Sequence, residues 1–274
     1  MACARTVCFL LFASIILGLA RSFTCSPHSS IISPSSWPDR YSMMVRGGAA
    51  GDQQELNLFS FPRSRSRIIE WYLQELGVGY STSDIDMTEK EHKSPEFLKV
   101  NPFGKLPVLG IRGAQAAAGG PLNLFESGAI LLYIADKYGG LATPEDRAEA
   151  GQWVAWANAS LGPALFVKEV RERSLGETLG ALDRLLAQRE YLLPPSGGGD
   201  GAVSVADVAV GAYFSYVPLF LPDLDLGPWP AVRAYMARLA QRPAFLSTVG
   251  ARVPPPPPPR PNNEAEEEQE TASK

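Results

Sequence analysis

Two short stretches of this chain hold residue types whose spacing suits ligand binding. The first, residues 92–109, contains a Leu106-Pro107 step that leads directly into an apolar strand. A proline there has no N–H for a sheet ladder, and such a turn is the usual place for a cis peptide bond. The backbone of Leu106 could then pair with an extended peptide, as an added strand does. In the second stretch, Glu126 and Ser127 open a helix whose first N–H groups are free for an anion.

Together these stretches resemble the glutathione-binding half of the glutathione S-transferases. The matching residues are Asn101-Pro102-Phe103-Gly104-Lys105-Leu106-Pro107-Val108-Leu109 and Glu126-Ser127-Gly128-Ala129-Ile130. The earlier segment 63–73 looks most like the cyanobacterial, chi-type members. The resemblance covers roughly residues 55–250, and the two motifs in this order and at this spacing are a specific signal. It implies a thioredoxin-like α/β domain followed by an all-α domain, the glutathione S-transferase fold.

The resemblance also assigns roles around the γ-glutamyl and cysteinyl parts of glutathione. Leu106 and Pro107 would hold the cysteinyl main chain. Glu126 would accept a hydrogen bond from the γ-glutamyl ammonium, and Ser127 would bind the γ-glutamyl carboxylate at a helix N-terminus. Two simpler roles stay open, because Pro107 could serve folding alone and Ser127 could be only a helix cap.

Three further residues are placed by the resemblance near the glycine end of glutathione. Lys105, His92 and Lys93 would act there as cations or donors for the second carboxylate. Related members often carry Gln at the position of Lys105, and either side chain can donate. His92 could equally be a solvated loop residue.

The thiol of glutathione must also be ionised, and the usual residue for this step is missing. A hydroxyl donor and the positive end of a helix can lower a thiol pKa of about 8.5 by a unit or two. The family places a Tyr, Ser or Cys between its first strand and first helix, but residues 61–67 hold no Tyr or Cys, and alignment puts Arg63 at the usual serine position. Either Ser64 donates after a one-residue shift, or the guanidinium of Arg63 or Arg65 stabilises the thiolate. Ser66 is a third candidate, and helix capping is the alternative role for both serines.

The expected activity follows from the resemblance. It implies a homodimeric glutathione transferase that adds glutathione, as thiolate, to hydrophobic electrophiles in detoxification or stress responses. Glutathione is then a co-substrate, and no other cofactor and no metal is expected. The electrophile would lie between the domains, where the candidates are Trp153, Trp156, Phe166 and Tyr213, each of which could instead belong to the core. The alternative is a non-catalytic glutathione-binding or scaffold module of the same fold.

The net charge and the positions of the cysteines limit which partners and which catalytic groups the protein can have. The formal net charge is −4, so nothing suggests nucleic acid as a partner. The three cysteines are Cys3, Cys8 and Cys25. Because all of them precede the matching region, a cysteine nucleophile and a Cys-X-X-Cys redox site are excluded from it.

The chain is predicted to divide into four segments. Residues 1–53 are interpreted as a disordered leader, a signal peptide followed by a serine-rich, acid-poor stretch typical of secondary plastids, with secretion or the endoplasmic reticulum as the alternative. Residues 54–140 form the thioredoxin-like glutathione-binding domain, and residues 143–250 form the helical domain. Residues 254–274 are a proline-rich acidic tail that is expected to be disordered. No second apolar run of about 20 residues follows, so a stable membrane anchor is not expected.

The hydrophobic pattern predicts the order β-α-β-α-β-β-α for the first domain. Residues 112–121 are expected to be a long surface loop in the hairpin. In the second domain, Gly162-Pro163 should kink or divide the first helix, another helix should cover residues 175–193, and the apolar helix 208–217 should lie at the centre. Thr143 and Ser204 are predicted helix caps, each with an acidic residue three positions later.

Overall fold

A five-stranded sheet forms the first half of the protein in the computed structural model, which describes residues 44–46, 55–194 and 203–252. The strands are β1 (Met44–Arg46), β2 (Leu56–Ser60), β3 (Tyr80–Asp84), β4 (Val108–Gln115) and β5 (Pro121–Phe125). Their spatial order is β1-β3-β2-β4-β5. Strand β2 is parallel to β3, and the other neighbours are antiparallel.

Ten α-helices are described around and after this sheet. They are α1 (Ser66–Glu75), α2 (Pro95–Val100), α3 (Ser127–Tyr138), α4 (Pro144–Trp156), α5 (Gly162–Phe166), α6 (Lys168–Leu186), α7 (Val205–Ser215), α8 (Val217–Phe220), α9 (Pro230–Ala240) and α10 (Pro243–Ser247). A π-helical segment, Ala157–Leu161, connects α4 to α5. The thioredoxin-like sheet domain and the helical domain predicted from the sequence are therefore confirmed.

The central strand β2 is buried on both faces, and its side chains alternate between two apolar clusters. Leu56 and Leu58 join the large core that continues into the helical domain. Phe59 faces the other way, onto a small cluster with Phe97 of α2, where the ring centroids are 6.0 Å apart. This period of two fixes the register of the strand, because a slip by one residue would exchange its two faces.

Helix α7 lies at the centre of the helical domain, as predicted, and every one of its residues is buried. Its N-terminus is closed by Ser204, whose Oγ accepts from the Asp207 N–H at 3.3 Å. The Asp207 carboxylate also accepts from the Leu192 N–H at 2.8 Å and from the Tyr235 hydroxyl at 3.0 Å. Burial raises the pKa of Asp207, and these hydrogen bonds act against that rise. One side chain thus joins α7, α9 and the loop after α6.

Helix α1 connects the sheet to the end of the described chain. Arg242, just before α10, donates to the Glu75 carboxylate through Nε at 2.8 Å and Nη2 at 2.7 Å. The Trp71 indole N–H donates to the same carboxylate at 2.8 Å. The Trp71 ring packs edge-on against Phe245 of α10, with centroids 5.0 Å apart. A forked, largely buried ion pair of this kind holds two elements in one geometry.

The structure corrects the prediction for the hairpin loop. Strand β4 continues to Gln115, which pairs with Pro121, so only residues 116–120 form the turn. Gly119 and Gly120 have φ values of +88° and +83° and supply the left-handed backbone that this turn needs. The predicted insertion is thus mainly a longer strand pair.

Two other boundaries differ from the prediction. Helix α6 begins at Lys168 and ends at Leu186 rather than covering 175–193. Its first turns are charged and largely exposed, so no apolar pattern marks them, and beyond its end the Leu192 N–H donates to Asp207 instead of continuing the helix. Strand β1 lies inside the stretch interpreted as a leader, and it pairs with β3. The rest of that leader and the acidic tail lie outside the described residues. Among the residues that are described, no helix is long and apolar enough to cross a membrane.

Candidate functional site

A cleft of about 930 Å³ opens between the sheet domain and the helical domain. The carboxyl end of β2, the loop before β4 and the start of α3 form one side. Helices α5, α7 and α8 contribute the other. All nine site residues predicted from the sequence line this cleft: Arg63, Ser64, His92, Lys93, Lys105, Leu106, Pro107, Glu126 and Ser127.

The loop before β4 is held in shape by a buried asparagine. Asn101 donates from Nδ2 to the Lys105 carbonyl at 2.8 Å, and its Oδ1 accepts from the Phe103 N–H at 3.1 Å. Gly104 adopts φ +57°, and a Cβ at this position would lie 2.7 Å from the His92 carbonyl oxygen. The loop then enters β4 through a cis Leu106-Pro107 peptide, as the sequence predicts. The motif residues therefore shape the backbone edge that faces the cleft.

The three candidate residues for a second carboxylate differ in their contacts. The Lys93 ammonium donates to the Phe103 carbonyl at 3.2 Å and to the Gly104 carbonyl at 2.9 Å, so two of its three protons hold the loop. The His92 Nδ1 is buried without a hydrogen-bond partner in the described part of the chain. Lys105 is exposed at the rim. Lys105 is thus the cation best placed to reach a ligand.

The start of α3 presents an anion-binding geometry. Glu126 occupies the N-cap position with φ +67°, a value that is unusual for a residue other than glycine. Ser127 follows as the first helical residue and is buried at the cleft wall. The first N–H groups of a helix have no partner within it, and the helix dipole favours negative charge there. Gly128 allows this end to pack closely, because a Cβ there would lie 3.0 Å from Val154.

The candidate thiol-activating serines occupy different places. Ser64 lines the cleft, and its Oγ donates to the Phe61 carbonyl at 2.9 Å. Ser66 is fully buried behind it, with the two hydroxyl oxygens 2.7 Å apart and the Ser66 N–H directed at Ser64 Oγ at 3.2 Å. The N-cap residue of α1 is Arg65, which makes no side-chain capping bond, and Ser64 Oγ accepts from the first N–H of the helix instead. The geometry therefore favours Ser64 over Ser66 as the hydroxyl that can reach a ligand. Arg63 is exposed and lines the same wall.

Arg65 links the two domains across the cleft, a contact that the sequence does not predict. Its guanidinium lies 5.2 Å from the centre of the Tyr213 ring and 3.5 Å, through Nη1, from Asn158 Oδ1. The Tyr213 hydroxyl donates to the same Oδ1 at 2.8 Å. Burial raises the pKa of Tyr213, which keeps this hydroxyl protonated and able to donate. Asn158 lies in the π-helical segment, a type of distortion frequent at functional sites.

The helical side of the cleft is largely aromatic. Phe166 and Tyr213, two of the candidates for the electrophile's contacts, line it. Trp153 and Trp156 are not among its lining residues and instead pack against each other, with centroids 5.6 Å apart. Sequence reasoning missed three further wall residues, Tyr216, Phe220 and Leu221. Phe220 stands out in the structure because a large apolar side chain is 67% exposed there. The local sequence could not indicate this, because exposure depends on how the helices pack.

Comparison with known proteins identifies the class to which this fold and cleft belong. Residues 54–136 match the family model for the N-terminal domain of glutathione S-transferases. Disulfide-bond oxidoreductase YfcG of Escherichia coli is 30% identical over 201 residues, which span 69% of this chain and 92% of that protein. The chain belongs to the glutathione S-transferase family.

Other relatives and solved structures agree with this assignment. Glutathione S-transferase F10 of Arabidopsis thaliana is 32% identical over 171 residues, 53% of this chain and 73% of that one. A possible glutathione S-transferase from Rhodopseudomonas palustris superposes with a TM-score of 0.55 at 30% identity, covering 72% of this chain and 98% of that one. A glutathione transferase from Burkholderia graminis, solved with two glutathione molecules per subunit, gives 0.56 at 28% identity, covering 73% and 89%.

Proposed function

We propose that this protein is a glutathione transferase that ionises glutathione and adds the thiolate to electrophilic small molecules. The proposal rests on three features that line one cleft. They are the backbone edge at Leu106, the N-terminus of α3 with Glu126 beside it, and the Ser64 hydroxyl next to α1. Glutathione needs all three, because it carries a peptide main chain, an ammonium beside a carboxylate, and a thiol. The aromatic wall opposite supplies an apolar surface for the second substrate.

In this proposal Ser64 is the catalytic residue that donates to the thiolate. Its hydroxyl proton, now directed at the Phe61 carbonyl, turns toward the sulfur, while Ser66 continues to donate to Ser64 Oγ. The N-terminal end of α1 adds favourable potential for the anion. The thiol proton leaves to solvent, and the sulfur attacks the electrophile. Arg63, at the rim of the same wall, is the alternative stabiliser.

The test is the thiol pKa of glutathione bound to the full chain, followed as thiolate absorbance against pH. Wild type should show a pKa below the free value of about 8.5. Ser64→Ala should lose most of this depression, whereas Arg63→Ala should retain it. A depression that is lost only in Arg63→Ala would transfer the role to the guanidinium. Glutathione bound with an unshifted pKa would contradict the transferase and leave the non-catalytic binding module.

A second candidate function is disulfide reduction that uses glutathione as the only thiol. It is favoured by the similarity to YfcG, named as a disulfide-bond oxidoreductase, and by the relative that binds two glutathione molecules per subunit. A glutathione thiolate would attack the substrate disulfide and form a mixed disulfide, which a second glutathione would resolve. Turnover of hydroxyethyl disulfide with glutathione, compared with conjugation of 1-chloro-2,4-dinitrobenzene, separates the two activities.

Three finer properties are part of the same proposal. We propose a chi-type transferase, on the basis of the segment 63–73, and a homodimer, on the basis of the family. The leader composition supports delivery to a plastid of the secondary type, with secretion as the alternative. Light scattering of the purified protein tests the dimer, and a fluorescent fusion of residues 1–53 tests the destination.

A further inference from the structure

A second cavity, of about 490 Å³, lies beside the glutathione cleft. It shares Arg63, Tyr216 and Phe220 with that cleft, so these three residues form a common wall. Arg67 and Leu219 line the second cavity only. A molecule that reaches the sulfur over Phe220 can therefore continue into this space.

The charged side chains that line the second cavity are all positive. Both of its charged lining residues are arginines, and none of its lining residues is acidic. Arg67 is neutralised by Glu70, which is buried and lies 2.5 Å from its Nη1. Arg63 is exposed and forms no ion pair within the described ranges. The cavity thus offers one uncompensated guanidinium next to an apolar floor, which suits a carboxylate on an apolar body.

We propose that the electrophile is an amphipathic carboxylate whose anionic end binds Arg63. This inference rests on the transferase function proposed above and names its substrate class. The apolar body lies along Phe220 and Tyr216, which places the reactive carbon in the glutathione cleft. When such a carboxylate carries an α,β-unsaturated carbonyl group, the thiolate forms a C–S bond to its β-carbon, the C=C electron pair moves onto the carbonyl oxygen to give an enolate, and a proton from solvent then adds to the α-carbon.

The test compares ethacrynic acid with its methyl ester as electrophiles for the full chain with glutathione. The two differ only by the carboxylate, so the ratio of their kcat/KM values isolates its recognition. Uncatalysed addition to glutathione is measured for each and subtracted. We expect wild type to prefer the acid by about tenfold, the size of one charged hydrogen bond. Arg63→Gln should reduce the ratio to about one, and Arg63→Lys should restore part of it.

A second pair of variants tests the cavity without touching the arginine. Leu219→Asp puts a negative charge into the cavity and should raise KM for the acid by a larger factor than KM for the ester, because only the acid is repelled by that charge. The matched control is Leu246→Asp, because Leu246 is 54% exposed and lies outside both cavities. The control should leave both KM values unchanged.

The outcomes separate this inference from the function on which it rests. If neither compound is conjugated faster than in buffer although bound glutathione shows a lowered thiol pKa, the substrate inference is overturned and the transferase stands; if the thiol pKa is unshifted as well, the transferase proposal is wrong. If the ester is conjugated but wild type shows no preference for the acid, the carboxylate inference is overturned while the transferase stands. An acid preference that survives Arg63→Gln would equally overturn the assignment of the anionic end to Arg63.

Discussion

The position of the Tyr213 ring depends on the lack of a side chain at Gly162. A Cβ on Gly162 would lie 2.6 Å from Tyr213 Cε1, closer than two carbons can approach. Because Tyr213 also contacts Arg65 and Asn158, a shift of its ring would disturb the link between the domains. Gly162 thus sets the shape of the cleft without contacting a ligand.

We predict that Gly162→Ala destabilises the protein by about 1–3 kcal/mol, the usual cost of overpacking, and weakens conjugation. The matched control is Gly176→Ala in α6, where an added Cβ meets no atom within 4 Å. The control should gain up to about 1 kcal/mol from helix propensity and keep its activity. Urea unfolding midpoints at constant slope measure both. Equal stability of the two variants would contradict the packing argument.

Among the elements, α7 and its neighbours depend on one buried carboxylate. Asp207 accepts hydrogen bonds from Ser204, Leu192 and Tyr235. Asp207→Ala should cost roughly 3 kcal/mol or more, since it leaves several buried donors unsatisfied. Asp207→Asn keeps one acceptor oxygen and should cost less. Denaturant unfolding of the two variants checks the order, and an Asn variant that is as unstable as the Ala variant would contradict it.

The sequence could predict the elements that form through local contacts, but not the contacts between elements that are far apart in the chain. The loop residues 101–107 and the pair Glu126-Ser127 act through local backbone geometry and form recognisable motifs, so the resemblance to the family was enough to place them at one site. The ion pair between Glu75 and Arg242 joins residues 167 positions apart, and no local pattern indicates it. The same holds for Phe220, since Tyr216 and Phe220 form a cleft wall only once α7 and α8 have packed. Strand β1 was missed because a three-residue strand has too few residues for a pattern.

At the scale of the whole molecule, one large apolar core joins the two domains of the described chain, and a second, small cluster lies around Phe59 and Phe97. A single cluster of buried side chains extends from Leu56 in β2 to Val249 after α10, and it includes residues of both domains. Two polar contacts also join the domains, the ion pair between Glu75 and Arg242 and the stacking of Arg65 on Tyr213. The two domains are therefore not independent units of stability.

We predict one cooperative unfolding transition for the full chain. Fluorescence of a variant that keeps Trp71 and has the other four tryptophans replaced by Phe reports on the sheet domain. Far-UV circular dichroism is dominated by the helices, and both signals should give the same denaturant midpoint. Glutathione should move both midpoints upward together, because it binds only the folded state. A fluorescence change that precedes the loss of helix would show that the domains unfold separately.

The described residues that line the two cavities include no cysteine, so the thiol that reacts there must be the one that glutathione brings. Enzymes that handle soft electrophiles risk self-inactivation, because a reactive thiol in the wall would be alkylated during turnover. In the proposed transferase, the nucleophile would leave with each product and be replaced by diffusion. Continued activity would then depend on the supply of reduced glutathione rather than on the survival of a thiol in the cleft wall.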